Sequence, residues 1–266
     1  MGAGPAPADR TTLGRAVRGS QLVASLASLV PGGPRRRFVI VCTPRSGSEL
    51  LVDLLDQLPG VRCVGEILDH EVRSPLRFLE GRARIAGARG ARVWGCKVLA
   101  QHLLWYESRY GRSATVLARL VADGWTVVLL RRRNVLASAL SALHAEQTGR
   151  FHLRDDDDAG VDPVDADPTT ILAWVHAFDE YQRWLEAQVA ALPHEVVVYE
   201  DDLRDEGAQQ VTVDRLAAAL GATAGPVCSR LRRTAPPDPW ARVADVEGLR
   251  RLLAHSRYAH LVDELG

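Results

Sequence analysis

Five uncharged residues, Phe38 to Cys42 (FVIVC), run directly into Thr43-Pro44-Arg45-Ser46-Gly47-Ser48, and leucines at helical spacing follow: Leu50, Leu51, Leu54, Leu55 and Leu58. The first run reads as a strand buried on both faces, the leucines as a helix stopped by Pro59-Gly60, and the hexamer as the tight loop between them. A strand of that kind needs a sheet covered on both sides, which already restricts the chain to a layered α/β architecture. The loop adds chemistry. Its backbone N–H groups and hydroxyls stand at a helix N-terminus, where unpaired donors and the helix dipole favour an anion, most often a phosphate. Triphosphate-binding loops read GxxxxGK[ST], with a lysine for the β- and γ-phosphates and a hydroxyl for Mg²⁺. This loop has no Gly-Lys pair and carries Arg45 instead.

The rest of the chain repeats the alternation. Val61 to Val64 reads as a second strand with Gly65 and Glu66 at its end, Ala91 to Leu99 (ARVWGCKVL) as a third, Trp125 to Leu130 as a fourth and Glu195 to Tyr199 as a fifth. Helices are expected over Val72 to Gly90, Ser113 to Ala122, Asn134 to about Gln147, Thr169 to Leu192, Gln209 to Leu220 and the tail from Trp240 to Leu265. Asn134 and the pair Asp167-Pro168 are suited to helix starts, and Gly221 to a helix stop. Strands alternating with helices imply a parallel sheet with right-handed crossovers. The expectation is a P-loop-like three-layer α/β/α fold with a central parallel sheet and additional helices.

Residues 1–35, rich in Ala, Gly, Pro and Arg, read as a poorly ordered arm, and 36–266 as a single α/β domain. An acidic insert at about 150–168, containing Asp155 to Asp158, has the composition of a solvated loop rather than EF-hand spacing. Arg10, Arg15 and Arg18 ahead of Leu22 to Val30 distantly resemble a signal or transit segment, or a short amphipathic helix.

The formal net charge is zero, which argues against a general polyanion-binding surface and hence against nucleic acid as a partner. Anion binding must come from local clusters: Arg35 to Arg37, Arg131 to Arg133, and Arg230, Arg232 and Arg233. Lys97 is the sole lysine; the preponderance of Arg reads as the codon bias of a GC-rich genome, so arginine as such carries little weight. Cys42, Cys63, Cys96 and Cys228 are far apart, without CxxC or zinc-type spacing, and read as reduced, buried thiols. No metal site is expected. No stretch is long enough to span a membrane, and the expected compartment is the cytoplasm.

In an open parallel sheet, ligands bind beyond the carboxyl ends of the strands. That rule gathers the hexamer, Gly65-Glu66, Lys97, Arg131 to Asn134 and Tyr199 to Asp202 on one rim. Here TPRSGS resembles the 5′-phosphosulfate loop of sulfotransferases that use 3′-phosphoadenosine 5′-phosphosulfate (PAPS). LLRRRNVLASALS, Leu129 to Ser141, is similar to their second nucleotide element, in which an Arg at a strand end and a Ser on the following helix hold the 3′-phosphate. In the bacterial branch that includes trehalose 2-sulfotransferase and the nodulation-factor sulfotransferases, that pattern aligns with Arg132 and Ser141, with Arg131 and Ser138 as the alternative. VWGCKVLAQ, Val93 to Gln101, and VVVYEDDL, Val196 to Leu203, resemble further segments of the same branch. The matching order runs from about Arg37 to Leu203. One departure is Glu49, where the family usually carries Thr; on the first turn of a helix its carboxylate is expected to face solvent and favour the dipole.

The resemblance implies a PAPS-dependent sulfotransferase acting on a small-molecule hydroxyl, a carbohydrate or secondary metabolite, in a protein whose relatives suggest a homodimer. Thr43, Pro44, Arg45, Ser46, Gly47, Ser48, Arg132 and Ser141 would hold the nucleotide. Glu66, Arg45 and Lys97 would be the catalytic groups. The resemblance makes Glu66 the base, because relatives place a catalytic Glu after this strand, followed by two apolar residues like Ile67 and Leu68. Glu66 would lie next to the hexamer if the first two strands are neighbours, with Asp69, His70 and Glu71 as alternatives. Glu200 to Asp202 read as a structural acidic turn. The rival functions are a kinase or nucleotidase with an unusual loop, and a non-catalytic nucleotide binder of the same fold.

Overall fold

The computed structural model describes residues 21–29, 31–69, 72, 74–110, 114–149, 164–229, 231 and 238–263. Its strands β1 (Arg36–Cys42), β2 (Val61–Glu66), β3 (Val93–Leu99), β4 (Trp125–Arg131) and β5 (His194–Val198) form one sheet in the order β2-β3-β1-β4-β5. Every pairing is parallel. Parallel neighbours need crossovers, and the helices supply them. Helix α1 (Ser48–Asp56) follows β1, α2 (Pro75–Ala88) follows β2, and α3 (Ala100–Tyr110) and α4 (Ala114–Ala122) follow β3. Between β4 and β5 lie α5 (Val135–Thr148) and α6 (Pro168–Val189), and after β5 come α7 (Glu206–Leu220), α8 (Val246–Ala254) and α9 (His260–Asp263).

Alternate residues of each central strand serve opposite faces. Phe38, Ile40, Cys42, Val128 and Leu130 pack with Leu51, Leu54 and Leu55 of α1 and Leu216 and Leu220 of α7. Val39, Val41, Trp94, Val127 and Leu129 pack on the other face with Leu79 of α2, Leu103 of α3, Leu117 of α4 and Leu185 of α6. The three-layer α/β/α expectation is met. A third apolar cluster joins α5 and the start of α6 to Trp240, Leu249, Leu253 and Leu261. Residues 21–27 are helical, and Ala24 is buried against α2 at Gly81, where a Cβ would fall 1.7 Å from the Ala24 carbonyl oxygen.

Helix starts follow the sequence closely. The Asn134 side chain accepts from the Ala137 N–H at 2.8 Å, and Asp167 accepts from those of Thr169 and Thr170. Two features differ from expectation. Helix α3 continues directly from β3, where no helix was expected, because its buried stripe is short: Ala100, Leu103 and Tyr106 alternate with half-buried or exposed positions. The tail is not continuous: it divides into a 3₁₀ turn, Pro239–Arg242, and the two helices α8 and α9, with Asp238 and Asp245 capping the turn and α8.

The strand order also corrects one placement. β3, rather than β2, lies beside β1 on that side, so Glu66 and the hexamer are not on neighbouring strands. From β1 the chain leaves toward the β2 edge and from β4 toward the β5 edge, so the two adjacent strand ends open a crevice between their loops.

Candidate active site

The hexamer lies in that crevice, tightly folded on itself. Thr43, Ser46 and Ser48 are buried, and the Ser46 hydroxyl donates to the Thr43 carbonyl at 2.8 Å. Gly47 has φ 90° and is the N-cap of α1; it brings no side-chain acceptor to the first-turn N–H groups. A Cβ on Gly47 would stand 2.4 Å from Cδ2 of Tyr199, so the close approach of that ring and the left-handed backbone both require glycine. Arg45 has φ 59°, the one positive φ outside glycine among the described residues. For an L-residue that conformation costs about 1–2 kcal/mol, so the surrounding contacts must impose it.

Those contacts come from the residue just after β4 and from α5. Arg45 Nε donates to Ser141 Oγ at 2.9 Å, while Arg132 Nη1 donates to the Arg45 carbonyl at 3.0 Å and Ser138 Oγ reaches the same carbonyl at 3.5 Å. Ser138 and Ser141 are three residues apart on one helical face, so both lie beside the loop. The Arg132 guanidinium stacks 4.5 Å from the Tyr199 ring centroid, and its Nε lies 3.8 Å from Glu200. The neighbouring arginines diverge: Arg131 reaches Glu186 on α6 at 3.3 Å, and Arg133 forms a two-pronged pair with Asp201 at 2.5 and 2.6 Å. Of the triple arginine, the structure brings Arg132 to the hexamer.

A third guanidinium joins them that the sequence did not single out. Arg242, on the 3₁₀ turn, is only 2% exposed. Burial draws the Arg45 guanidinium down to about 10, and the positive charges of Arg132 and Arg242 act in the same direction, with Glu49 opposing. Three cations therefore gather around one loop. In a chain so rich in arginine, nothing in the sequence separates Arg242 from its solvated neighbours.

Lys97 belongs to a second polar group. Alternation along β3 places Gly95 and Lys97 on the face covered by α1, and the Gly95 position leaves room for the Phe38 ring, whose Cζ would lie 2.2 Å from a Cβ there. The Lys97 side chain is 2% exposed and pairs with Glu49 and, at 3.0 Å, with Glu66 Oε1. Glu49 therefore pairs with Lys97 along the sheet instead of standing wholly in solvent, with 33% of its side chain still exposed. Burial opposes the Lys97 ammonium, but the carboxylates of Glu49 and Glu66 outweigh it and hold its pKa above the ordinary lysine value. His102 Nε2, on the first turn of α3, lies 3.9 Å from Glu66 Oε2. Burial pushes the Cys42 thiol up to about 11 against the influence of Lys97, Ser48 and Ser46, which leaves it protonated beneath the loop.

The acidic turn after β5 is structural. Glu200 accepts from the backbone N–H groups of Arg133 and Asn134 at 3.0 and 3.1 Å, and Asp202 accepts from the Val198 N–H at 2.6 Å. His70, Glu71, Asp155 to Asp158, Arg230, Arg232 and Arg233 lie outside the described residues. Cys42, Cys63 and Cys96 are free and buried, whereas Cys228 is exposed, which departs from the expectation of four buried thiols. Among the described residues, no group of three His, Cys, Asp or Glu side chains is arranged to hold a metal ion, and no helix is long and apolar enough to cross a membrane.

The chain is 26% identical over 246 residues to nodulation protein H of Rhizobium meliloti (strain 1021), an alignment covering 86% of this chain and 96% of that protein. No family model matches the chain. The likeness supports the sulfotransferase resemblance that the motifs carry, over most of the chain rather than at the motifs alone.

Proposed function

We propose that the chain transfers a sulfuryl group from PAPS to a hydroxyl of a small-molecule acceptor, a carbohydrate or a secondary metabolite. The observation that carries this reading is the gathering of Arg45, Arg132 and Arg242 at a loop that lacks the lysine of triphosphate enzymes. Guanidiniums gathered at a helix N-terminal loop favour an anion of high charge, and a nucleotide with a 5′-phosphosulfate and a 3′-phosphate is such an anion. The donor set suits it: loop amides and hydroxyls for the phosphosulfate, guanidiniums and the α5 serines for the 3′-phosphate. A kinase of this fold would need a lysine in the loop, and the chain's single lysine is engaged on β3 with Glu49 and Glu66.

The donor supplies a sulfuryl group already activated on a phosphate. Arg45 and the loop amides would stabilise the charge that develops on that phosphate as its bond to sulfur breaks. Glu66 would take the proton of the acceptor hydroxyl as the new oxygen–sulfur bond forms. Lys97, buried beside Glu66, would hold that carboxylate in place. The test is incubation with labelled PAPS and a panel of hydroxyl-bearing metabolites. Labelled sulfate ester supports the reading, while turnover of Mg·ATP instead, or nucleotide binding without transfer to any acceptor, would replace it with one of the two rivals.

A further inference from the structure

Lys97 holds one ammonium between two carboxylates, and the sharing has a consequence for the acid–base chemistry of the site. Its side chain is 2% exposed, so water is not at hand for its three N–H donors and the carboxylates must serve them. Glu49 and Glu66 remain about one-third exposed, at 33% and 35%. The positive charge is thus enclosed and the negative charges face the crevice. The carboxylate of Glu49 also lies against Gly65: a Cβ there would stand 3.7 and 3.8 Å from its two oxygens. Glu49 therefore lies beside the end of β2 that carries Glu66 as well as pairing with the lysine that Glu66 shares.

We infer that Glu49 is a positioning residue for the transfer reaction: it takes up much of the Lys97 charge, so that Glu66 keeps the basicity needed to accept the acceptor's proton. The inference rests on the sulfotransferase reading with Glu66 as base. A lone ammonium in contact with a carboxylate favours the charged form and makes it a weaker base, whereas a second carboxylate on the same ammonium opposes that effect. The groups that face Glu66 are Lys97 from β3, His102 from α3, Glu49 from α1 and Cys42 from β1. Only Glu49 among them adds a negative charge, because the Cys42 thiol stays protonated.

The experiment is the pH profile of kcat for the wild type and Glu49→Gln. The substitution should hand Lys97 to Glu66 alone, move the acidic limb to lower pH by about one unit and lower the plateau by about three- to tenfold. Affinity for 3′-phosphoadenosine 5′-phosphate (PAP), measured by calorimetry, should not fall, because Glu49 is an anion near Arg45. Lys97→Met tests the same coupling in the opposite direction, with the limb moving to higher pH, and it serves also if Glu49→Gln does not fold. An unmoved limb in both variants overturns the inference, and so does a loss of turnover in Glu49→Gln that is equal at every pH. Absence of transfer by the wild type, or full turnover by Glu66→Gln, would instead remove the reading on which it stands.

Discussion

Glu66 and Lys97 face each other across β2 and β3 because the register slips between Val64 and Glu66: Val64 pairs with Cys96, and Glu66 with the next residue, Lys97. Val61 and Cys63 belong to the α1 face of the sheet, so strict alternation would send Gly65 there and Glu66 to the other side. The bulge inserts one residue and turns Glu66 onto the lysine's face. Sulfuryl transfer is therefore expected to fall by about 10²- to 10⁴-fold in Glu66→Gln, with PAP affinity unchanged. Near-normal turnover would dismiss Glu66 as the base, and inactivity of His70→Ala would then transfer the role.

PAP should bind at least about tenfold more tightly than AMP, since a 3′-phosphate held by guanidinium and hydroxyl donors is worth at least ~1.4 kcal/mol. Arg132→Ala should erase most of that preference and Arg131→Ala little of it, because Arg131 reaches Glu186 instead of the loop. Calorimetry on the three proteins decides the matter, and the reverse order would favour the pairing of Arg131 with Ser138.

Arg242→Ala should weaken PAP by about tenfold or more while leaving AMP and PAP closer in affinity than in the wild type. Its burial beside Arg45 motivates this. An unchanged PAP affinity would make Arg242 a structural cation of the tail.

Loss of the Arg45 side chain should lower turnover by about two to three orders of magnitude, as for removal of a donor to developing charge. Arg45→Gly separates side chain from backbone, because glycine accepts the left-handed conformation without strain. Arg45→Gly should be as inactive as Arg45→Ala yet melt at a higher temperature. Activity of the wild type should persist in EDTA, since the loop lacks the lysine–hydroxyl pair that brings Mg²⁺ to triphosphate enzymes; restoration by Mg²⁺ after its loss in EDTA would contradict this.

Lys97→Met should destabilise the fold by about 1–3 kcal/mol near neutral pH, less than for a fully buried pair because both carboxylates are partly exposed. The sign of its pH dependence follows from the raised pKa of Lys97. Stability from a base whose pKa is higher in the folded state is complete below the unfolded value and lost as pH rises through the folded one. Denaturation profiles of the two proteins should thus run parallel at neutral pH and converge above about pH 10.4. A gap that persists into that range would mean that the lysine stabilises by packing alone.

The uncharged strands, the turn residues and the leucine spacing of α1 were sufficient to specify a parallel α/β sheet and to place the hexamer at its rim, because these signals are local. Asn134 and Asp167 cap the helices they were expected to cap for the same reason. Four relationships are decided only by tertiary structure. The order of β2, β3 and β1 depends on how crossovers pack, and the inward turn of Glu49 depends on the lysine that β3 presents to it. The shared face of Glu66 and Lys97 depends on a bulge that Gly65 permits but does not announce. The charge of Arg242 acts on Arg45 from almost two hundred residues away in the chain. Sequence spacing reports neighbours along one element, whereas the charge balance of a site is set by elements that meet from different parts of the chain.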